Sequence, residues 1–135
     1  LTDYHFGQVT KTGIDDPVYG NVYNLIQEQW FIDNPNENNN KTMASFQKGV
    51  LATKLPKGKE ALVFKIYNPS NQDIDSYIGG GEPYYTSKHF LFKSKEWTEV
   101  VITAEDIIKN NDFTLYYYIL LSNASGWQVT DIWAI

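Results

Sequence analysis

Cysteine is absent from the 135-residue chain, so a disulfide bond, a thiolate metal site and a cysteine nucleophile are all excluded. Arginine is absent too: all 11 basic residues are lysines, against 16 Asp and Glu residues, and the formal net charge is −5. The chain therefore lacks the guanidinium group that binds phosphate and guanine edges in a bidentate manner. Without a basic stripe, nucleic acid and anionic membrane surfaces are not expected partners. A neutral, hydroxyl-rich ligand fits this composition better.

Long apolar runs are also missing. The longest candidate, residues 115–121, has the length of a strand and contains three tyrosines, so we expect no membrane insertion. With 42% apolar and 20% charged residues the composition is that of a globular protein, and the length suits one domain. We expect a single domain, residues 1–135, excised from a longer protein, because the chain opens at Leu1 without a methionine or a signal-like stretch.

Short runs of aromatic and β-branched residues, separated by Gly, Pro, Asn and Asp, predict an all-β, antiparallel β-sandwich. These runs predict strands at residues 4–9, 22–32, 44–53, 61–67, 75–78, 89–93, 98–103, 113–122 and 127–135. Within 61–67 the side chains alternate, so that Leu62, Phe64 and Ile66 are predicted to face the core and their neighbours a wetter face.

Two local signals refine this prediction. Pro56 and Gly58 mark a chain reversal, which predicts that strands 44–53 and 61–67 are antiparallel neighbours. Thr103 stands three residues before Asp106, and this capping pattern predicts one short helical turn.

The second half of the chain carries a recognisable order of segments: residues 61–67 running into Asn68-Pro69-Ser70, then 90–93, then 96–107 around Trp97, and finally 126–132. This order resembles the galactose-binding-domain-like β-sandwiches, jelly rolls found as carbohydrate-binding modules beside glycoside hydrolases and polysaccharide lyases. The resemblance covers roughly residues 61–135. It implies an antiparallel jelly-roll sandwich that binds a polysaccharide or oligosaccharide for a tethered catalytic domain, in a secreted or cell-surface, bacterial protein.

The same resemblance implies one structural calcium ion with oxygen ligands. Asp131 stands where such modules often supply a carboxylate, and Asp3, or Asp15 and Asp16, would contribute from the first loop. The alternative for each is a solvated turn carboxylate.

Exposed aromatic rings are the expected carbohydrate-binding groups, because a pyranose can lay its polarised C–H groups on a π-face while its hydroxyls bond amides and carboxylates. Tyr84 and Tyr85 follow the loop at residues 79–83 and are the favoured platform. Trp127 lies at the mouth of the last predicted strand, and Trp30 precedes an Asn-rich loop. Each of these rings is also able to serve as a core residue.

Three consecutive tyrosines add two further candidates. Tyr116 and Tyr118 share one face of their strand and are predicted to line a concave groove, whereas Tyr117 is predicted to face the core. Trp97 and Trp133 lie in strongly apolar strands and are predicted to be structural. Polar partners for a sugar would come from a set that the sequence does not narrow: Asn21, Asn24, Gln27, Lys65, Asn68 and Asn123.

Catalysis is not expected. His5 and His89 are the only histidines and lack the spacing of a zinc pair, and the glycine run at 79–81 precedes Glu82 rather than the lysine of a phosphate-binding loop. Together with the resemblance, the missing motifs predict a non-catalytic carbohydrate-binding module. Two alternatives remain open: a structural or protein-interaction β-sandwich domain of a multidomain extracellular enzyme without sugar binding, and a small jelly-roll hydrolase or lyase.

Overall fold

A computed structural model describes the backbone of residues 2–3, 7–27, 42–47, 58–80, 86–103, 105, 116–121 and 126–135. Within these residues the chain is almost entirely strand, and every strand pairing is antiparallel. The all-β, antiparallel prediction is thereby confirmed. The strands are β1 Thr2–Asp3, β2 Gly7–Asp16, β3 Gly20–Gln27, β4 Thr42–Gln47, β5 Ala61–Tyr67, β6 Ile74–Gly80, β7 Thr86–Phe92, β8 Trp97–Thr103, β9 Tyr116–Leu121, β10 Gln128–Thr130 and β11 Trp133–Ala134.

The strands form two sheets. The first has the order β1-β4-β9-β6-β7. In the second, β10 and β11 follow one another along one edge of β5, β8 pairs with the other edge, and β3 and β2 continue the sheet beyond β10. Strand β5 is therefore central, with neighbours on both sides along its length.

The hydrophobic core lies on one face of the second sheet. Alternation in β5 directs Leu62, Phe64 and Ile66 into this core, as predicted. The first sheet contributes Phe92, whose ring is fully buried and meets the ring of Trp127 edge-on at a centroid distance of 5.7 Å. Contact between side chains of both sheets makes the arrangement sandwich-like.

Two predictions about connectivity are wrong. Strands β4 and β5 are not neighbours, because β4 pairs with β1 and β9 in the first sheet while β5 lies in the second. In addition, the predicted strand at 127–135 is two strands, β10 and β11, separated at Asp131 and Ile132. Of the predicted helical turn, Glu105 is helical and residue 106 lies outside the described residues.

Among the described residues, no helix is both long enough and apolar enough to cross a membrane.

Candidate functional site

The face of the second sheet opposite the core, called here the outer face, carries polar and aromatic side chains that are partly exposed to solvent. Strand register defines it. Because directly opposite residues of paired strands share a face, the partners of Val63, Lys65 and Tyr67 on β8, β10 and β11 all belong to the outer face.

One row of the outer face combines rings and amides. Tyr67 of β5 is flanked by Trp97 of β8 on one side and by Gln128 of β10 on the other, and Gln128 is in turn opposite Asn24 of β3. The next strand, β2, adds Thr10 opposite Asn24. We call these five residues the aromatic–amide row. It spans five strands, about 19 Å at the usual strand spacing.

The geometry of this row leaves both stacking and hydrogen-bonding groups accessible. Trp97 is 39% exposed, and its ring packs on Tyr67 at a centroid distance of 5.4 Å with the planes tilted by 42°. The Nε2 of Gln128 donates a hydrogen bond of 3.0 Å to the Oδ1 of Asn24. Within the described part of the chain, the Asn24 Nδ2 and the Gln128 Oε1 have no protein partner. The row therefore offers a ring face, a donor and an acceptor in sequence.

Trp97 is positioned by the turn that precedes β8. Lys95 adopts a left-handed backbone conformation with φ of 59°, and its backbone N–H donates to the carbonyl of Asn68 at 2.8 Å. Its ammonium group also donates to the carbonyl of Pro69. The carbonyl of Glu96 accepts from the backbone N–H of Asn68, which closes the turn against the end of β5.

Asn68 anchors this turn from inside. Its side chain is 0% exposed, yet all its hydrogen-bonding groups are used. The Nδ2 donates to the carbonyls of Gln72 and Phe92, both at 2.9 Å, and the Oδ1 accepts from the backbone N–H and the hydroxyl of Ser70. The amide thus joins the end of β5, the following loop and the end of β7. Asn68 is accordingly a structural residue of this turn with no surface exposed to solvent.

A second row, called here the charged strip, crosses the middle of the outer face. Lys65 of β5 lies opposite Glu99 of β8, and its ammonium group lies 3.5 Å from a carboxylate oxygen of Asp16 and 5.1 Å from the ring centre of Tyr19. The hydroxyl of Tyr19 donates to the Oε2 of Glu99 at 2.5 Å. Each charged group of the strip therefore has a partner within the strip.

Proton equilibria in the charged strip favour this pairing. The hydrogen bond to Glu99, together with burial, raises the pKa of Tyr19 to about 12, so its hydroxyl stays protonated and donating at neutral pH. The backbone N–H of Tyr19 bonds the carboxylate of Asp16, and this is the main cause that lowers the pKa of Asp16. Neither Tyr19 nor Asp16 therefore changes its protonation state near neutral pH, and the hydrogen bonds of the strip persist there.

Trp133 occupies the far end of the outer face. It lies opposite Val63 in the β11–β5 pair, is 46% exposed, and donates from its Nε1 to the carbonyl of Tyr19 at 2.6 Å. Its ring edge also lies against Gly20. The hydrogen bond and the glycine fix the ring while leaving almost half of its surface in solvent.

Asp131, a predicted calcium ligand, is engaged by hydrogen-bond donors. Its Oδ2 accepts from the backbone N–H and the Nδ2 of Asn21, and its Oδ1 accepts from the hydroxyl of Tyr23 at 2.8 Å. These contacts join β3 to the break between β10 and β11. Both carboxylate oxygens of Asp131 therefore already accept hydrogen bonds from β3. Among the residues whose side chains are described, no group of three or more His, Asp or Glu is arranged to hold a metal.

The predicted ring sites have different outcomes. Trp127 is only 3% exposed and lies in the core, so the prediction that it offers its ring to a ligand is wrong. The apolar side chains of Val129 and Ile132 belong to the same core cluster as Trp127. Conversely, Trp97 and Trp133 were predicted to be structural, but among the described residues they are the two tryptophans whose side chains are about half exposed to solvent.

The remaining predicted site residues lie where the structure does not describe their side chains. Tyr116 and Tyr118 lie on β9, with Tyr118 opposite Ser45 and Gly79, but their side chains are outside the described part. The same is true of Asp3 on β1. Trp30, Tyr84 and Tyr85 fall entirely outside the described residues.

Sequence reasoning missed Gln128, although it named Asn24. The exposure of Trp97 was also predictable, because Trp97 lies two residues before Glu99 on β8 and therefore shares its face, opposite the buried Val100 and Ile102.

A comparison with known protein families finds no match to this chain. A comparison with curated proteins finds none either.

Proposed function

We propose that this chain is a non-catalytic carbohydrate-binding module that holds a neutral glycan on the outer face of its second sheet. The observation that carries the proposal is the aromatic–amide row, in which the half-exposed ring of Trp97 is followed by the open amide groups of Gln128 and Asn24. A sugar presents the complementary pattern, with a face of C–H groups for the ring and hydroxyls that both donate and accept.

The charges of the outer face support a neutral ligand. Lys65 is engaged by Asp16 and faces the ring of Tyr19, so it is not available as an isolated cation for a carboxylated or sulfated sugar. With Glu99 included, the charged strip carries one more negative than positive charge. Anionic glycans would therefore meet repulsion.

Affinity in such a shallow, solvated site should be modest, with dissociation constants in the micromolar to millimolar range. In this proposal the module belongs to a secreted or cell-surface bacterial enzyme, a glycoside hydrolase or polysaccharide lyase. In the same proposal, the two sheets of the module have the topology of a jelly roll. Binding would raise the local concentration of the tethered catalytic domain at its polysaccharide without chemistry of its own.

Rings outside the described residues stay part of the proposal. Tyr84 and Tyr85 remain the predicted loop platform, and Trp30, Tyr116 and Tyr118 remain predicted contacts. Binding at these rings and binding at the aromatic–amide row make different predictions for mutants.

Affinity electrophoresis in gels that contain soluble neutral polysaccharides tests the proposal. The wild-type domain should be retarded by at least one polymer, and Trp97→Ala should lose most of the retardation. Leu91→Ala is the matched control, because Leu91 is 51% exposed but lies on the first sheet. A double change of Tyr84 and Tyr85 to alanine shows whether the loop takes part. If a broad neutral panel produces no retardation of the wild type, the proposal is wrong.

One observation favours the alternative of a structural or protein-interaction domain. Val18, in the β2–β3 turn beside Tyr19, is 74% exposed, and Ile14 nearby on β2 is exposed as well. Exposed aliphatic side chains at one corner suit contact with a neighbouring domain. This alternative predicts that Val18→Ser weakens association with the adjacent domain of the parent protein, while no glycan retards the wild type.

The structural calcium ion stays a prediction, with Asp3 and Asp131 as its predicted ligands. Differential scanning calorimetry of chelator-treated protein tests it. A bound ion would raise the unfolding midpoint when calcium is added, and Asp131→Asn would remove that increase. An unchanged midpoint would reject the ion.

A further inference from the structure

We infer that Trp133 is a second stacking platform and that the module binds an internal stretch of an extended glycan chain rather than a chain end. This inference rests on the proposed function and specifies its ligand as a linear, neutral polysaccharide. It starts from the fact that Trp97 and Trp133, the two half-exposed tryptophans among the described residues, lie on the same face of the same sheet.

Strand register gives the spacing between them. Trp97 lies opposite Tyr67 and Trp133 opposite Val63, on the two different neighbours of β5. Four residues along β5 correspond to about 13 Å, and two strand spacings correspond to about 10 Å. The two backbone positions are therefore about 16 Å apart along an oblique line across the sheet. Several consecutive sugar residues are needed to cover that distance, so a single terminal sugar cannot reach both rings.

The surface between the two tryptophans suits a neutral chain. The line from one ring to the other crosses the charged strip at Lys65 and Glu99, whose partners Asp16 and Tyr19 already hold them. These groups are able to share hydrogen bonds with hydroxyls without being stripped of their own partners. A polyanionic chain would instead lie across an excess of carboxylate.

Both rings are held before a ligand arrives. Trp97 packs against Tyr67, and the Nε1 of Trp133 is bonded to the carbonyl of Tyr19. Fixed rings lose little side-chain freedom when a chain lies on them, so each adds to affinity in full.

Isothermal titration calorimetry with a size series of neutral β-linked oligosaccharides, from disaccharide to hexasaccharide, tests the inference on the intact chain. Affinity should rise with length until both rings are covered. Trp133→Ala should weaken hexasaccharide binding by about five- to tenfold, as expected for the loss of one stacked ring, and leave disaccharide binding at Trp97 unchanged. Trp133→Phe keeps a ring but not the Nε1 bond and should restore part of the loss, while Leu91→Ala serves as the control.

The outcomes separate this inference from the proposed function. If Trp97→Ala abolishes binding but affinity is independent of length and unaffected by Trp133→Ala, the two-platform inference is overturned and the proposed function stands. Tighter binding of a polyuronate than of every neutral chain would overturn the assignment of a neutral ligand. If no oligosaccharide or polymer binds, both proposals fail. Thermal denaturation of each variant checks that it is folded.

Discussion

Replacing Asn68 by alanine should destabilise the domain far more than its position in a loop suggests. The side chain is fully buried and makes four hydrogen bonds, two as donor and two as acceptor. Removal of the amide leaves the carbonyl of Phe92, which lies in the interior, without this donor, at a cost of about 1–3 kcal/mol. The carbonyl of Gln72 gains another donor in the variant, because the hydroxyl of Ser70 lies 2.9 Å from it and is released from Asn68 to donate there.

The backbone N–H of Ser70 is less buried and is able to bond water, so its loss adds about 1 kcal/mol. Together these terms give a decrease of about 2–4 kcal/mol in the free energy of unfolding. Urea denaturation of the wild type and the variant, followed by intrinsic fluorescence and analysed by linear extrapolation, measures the difference.

Asn71→Ala is the matched control, because Asn71 lies three residues away in the same loop and is exposed. It should change stability by no more than about 0.5 kcal/mol. If Asn68→Ala were equally mild, the account of a loop held by one buried amide would be refuted, and with it the explanation for how Trp97 is positioned.

Three further predictions concern stability. Burial and the hydrogen bond to Asp131 raise the pKa of Tyr23 from its ordinary value of 10.0 to about 12. The contribution of Tyr23 to stability is therefore complete below pH 10 and is lost as the pH rises through 12. Tyr23→Phe should reduce this loss of stability in denaturation experiments at increasing pH, and an unchanged pH dependence would count against the shift. Gly20→Ala should cost more than Gly13→Ala, because both have positive φ but only at Gly20 would a Cβ lie 3.1 Å from the Asp131 carboxylate. This overpacking should add about 1–3 kcal/mol, and equal denaturation midpoints would contradict it. Trp127→Ala should cost about 3–5 kcal/mol as a core truncation, and a cost below about 1 kcal/mol would show that the ring is not buried.

The parts of the fold that the sequence predicts well are those in which alternation is strong. Strand β5 was predicted at its observed bounds because Leu62, Phe64 and Ile66 recur at every second position, which is the period of a strand. Strand β2 was not, since its stretch from Thr10 to Asp16 is polar except for Ile14 and its register shifts between Lys11 and Asp15. A polar strand of this kind leaves no apolar period to detect.

Pairing between strands was less predictable. The reversal signal before Ala61 was taken to join neighbouring strands, but in a two-sheet protein a connection often carries the chain from one sheet to the other. Likewise, the apolar run at the end of the chain gave no sign of the break at Asp131, where the side-chain carboxylate bonds Asn21 and Tyr23 on β3. Both features depend on contacts between residues distant in sequence.

The types of residue in the candidate site were predicted, but their positions in the chain were not. Exposed rings and amides were expected, yet Trp127 was chosen and Trp97 and Trp133 were set aside as structural. The alternation of faces along each strand argues against that choice. Trp127 lies two residues before buried Val129 and shares its face, whereas Trp97 lies two residues before exposed Glu99 and shares that face. The prediction relied on the apolar character of the whole strand and neglected the face of the sheet on which each tryptophan lies.

The central claim is that a neutral glycan lies on the outer face against Trp97, and nuclear magnetic resonance of the tryptophan side chains tests it most directly. The chain has four tryptophans, so its indole N–H groups give four signals to assign and follow during titration with a neutral oligosaccharide. We expect the signal of Trp97 to shift in a saturable manner while that of buried Trp127 stays in place. A saturable titration that leaves the Trp97 signal unmoved, or a full panel of neutral glycans that moves none of the four, would contradict the account.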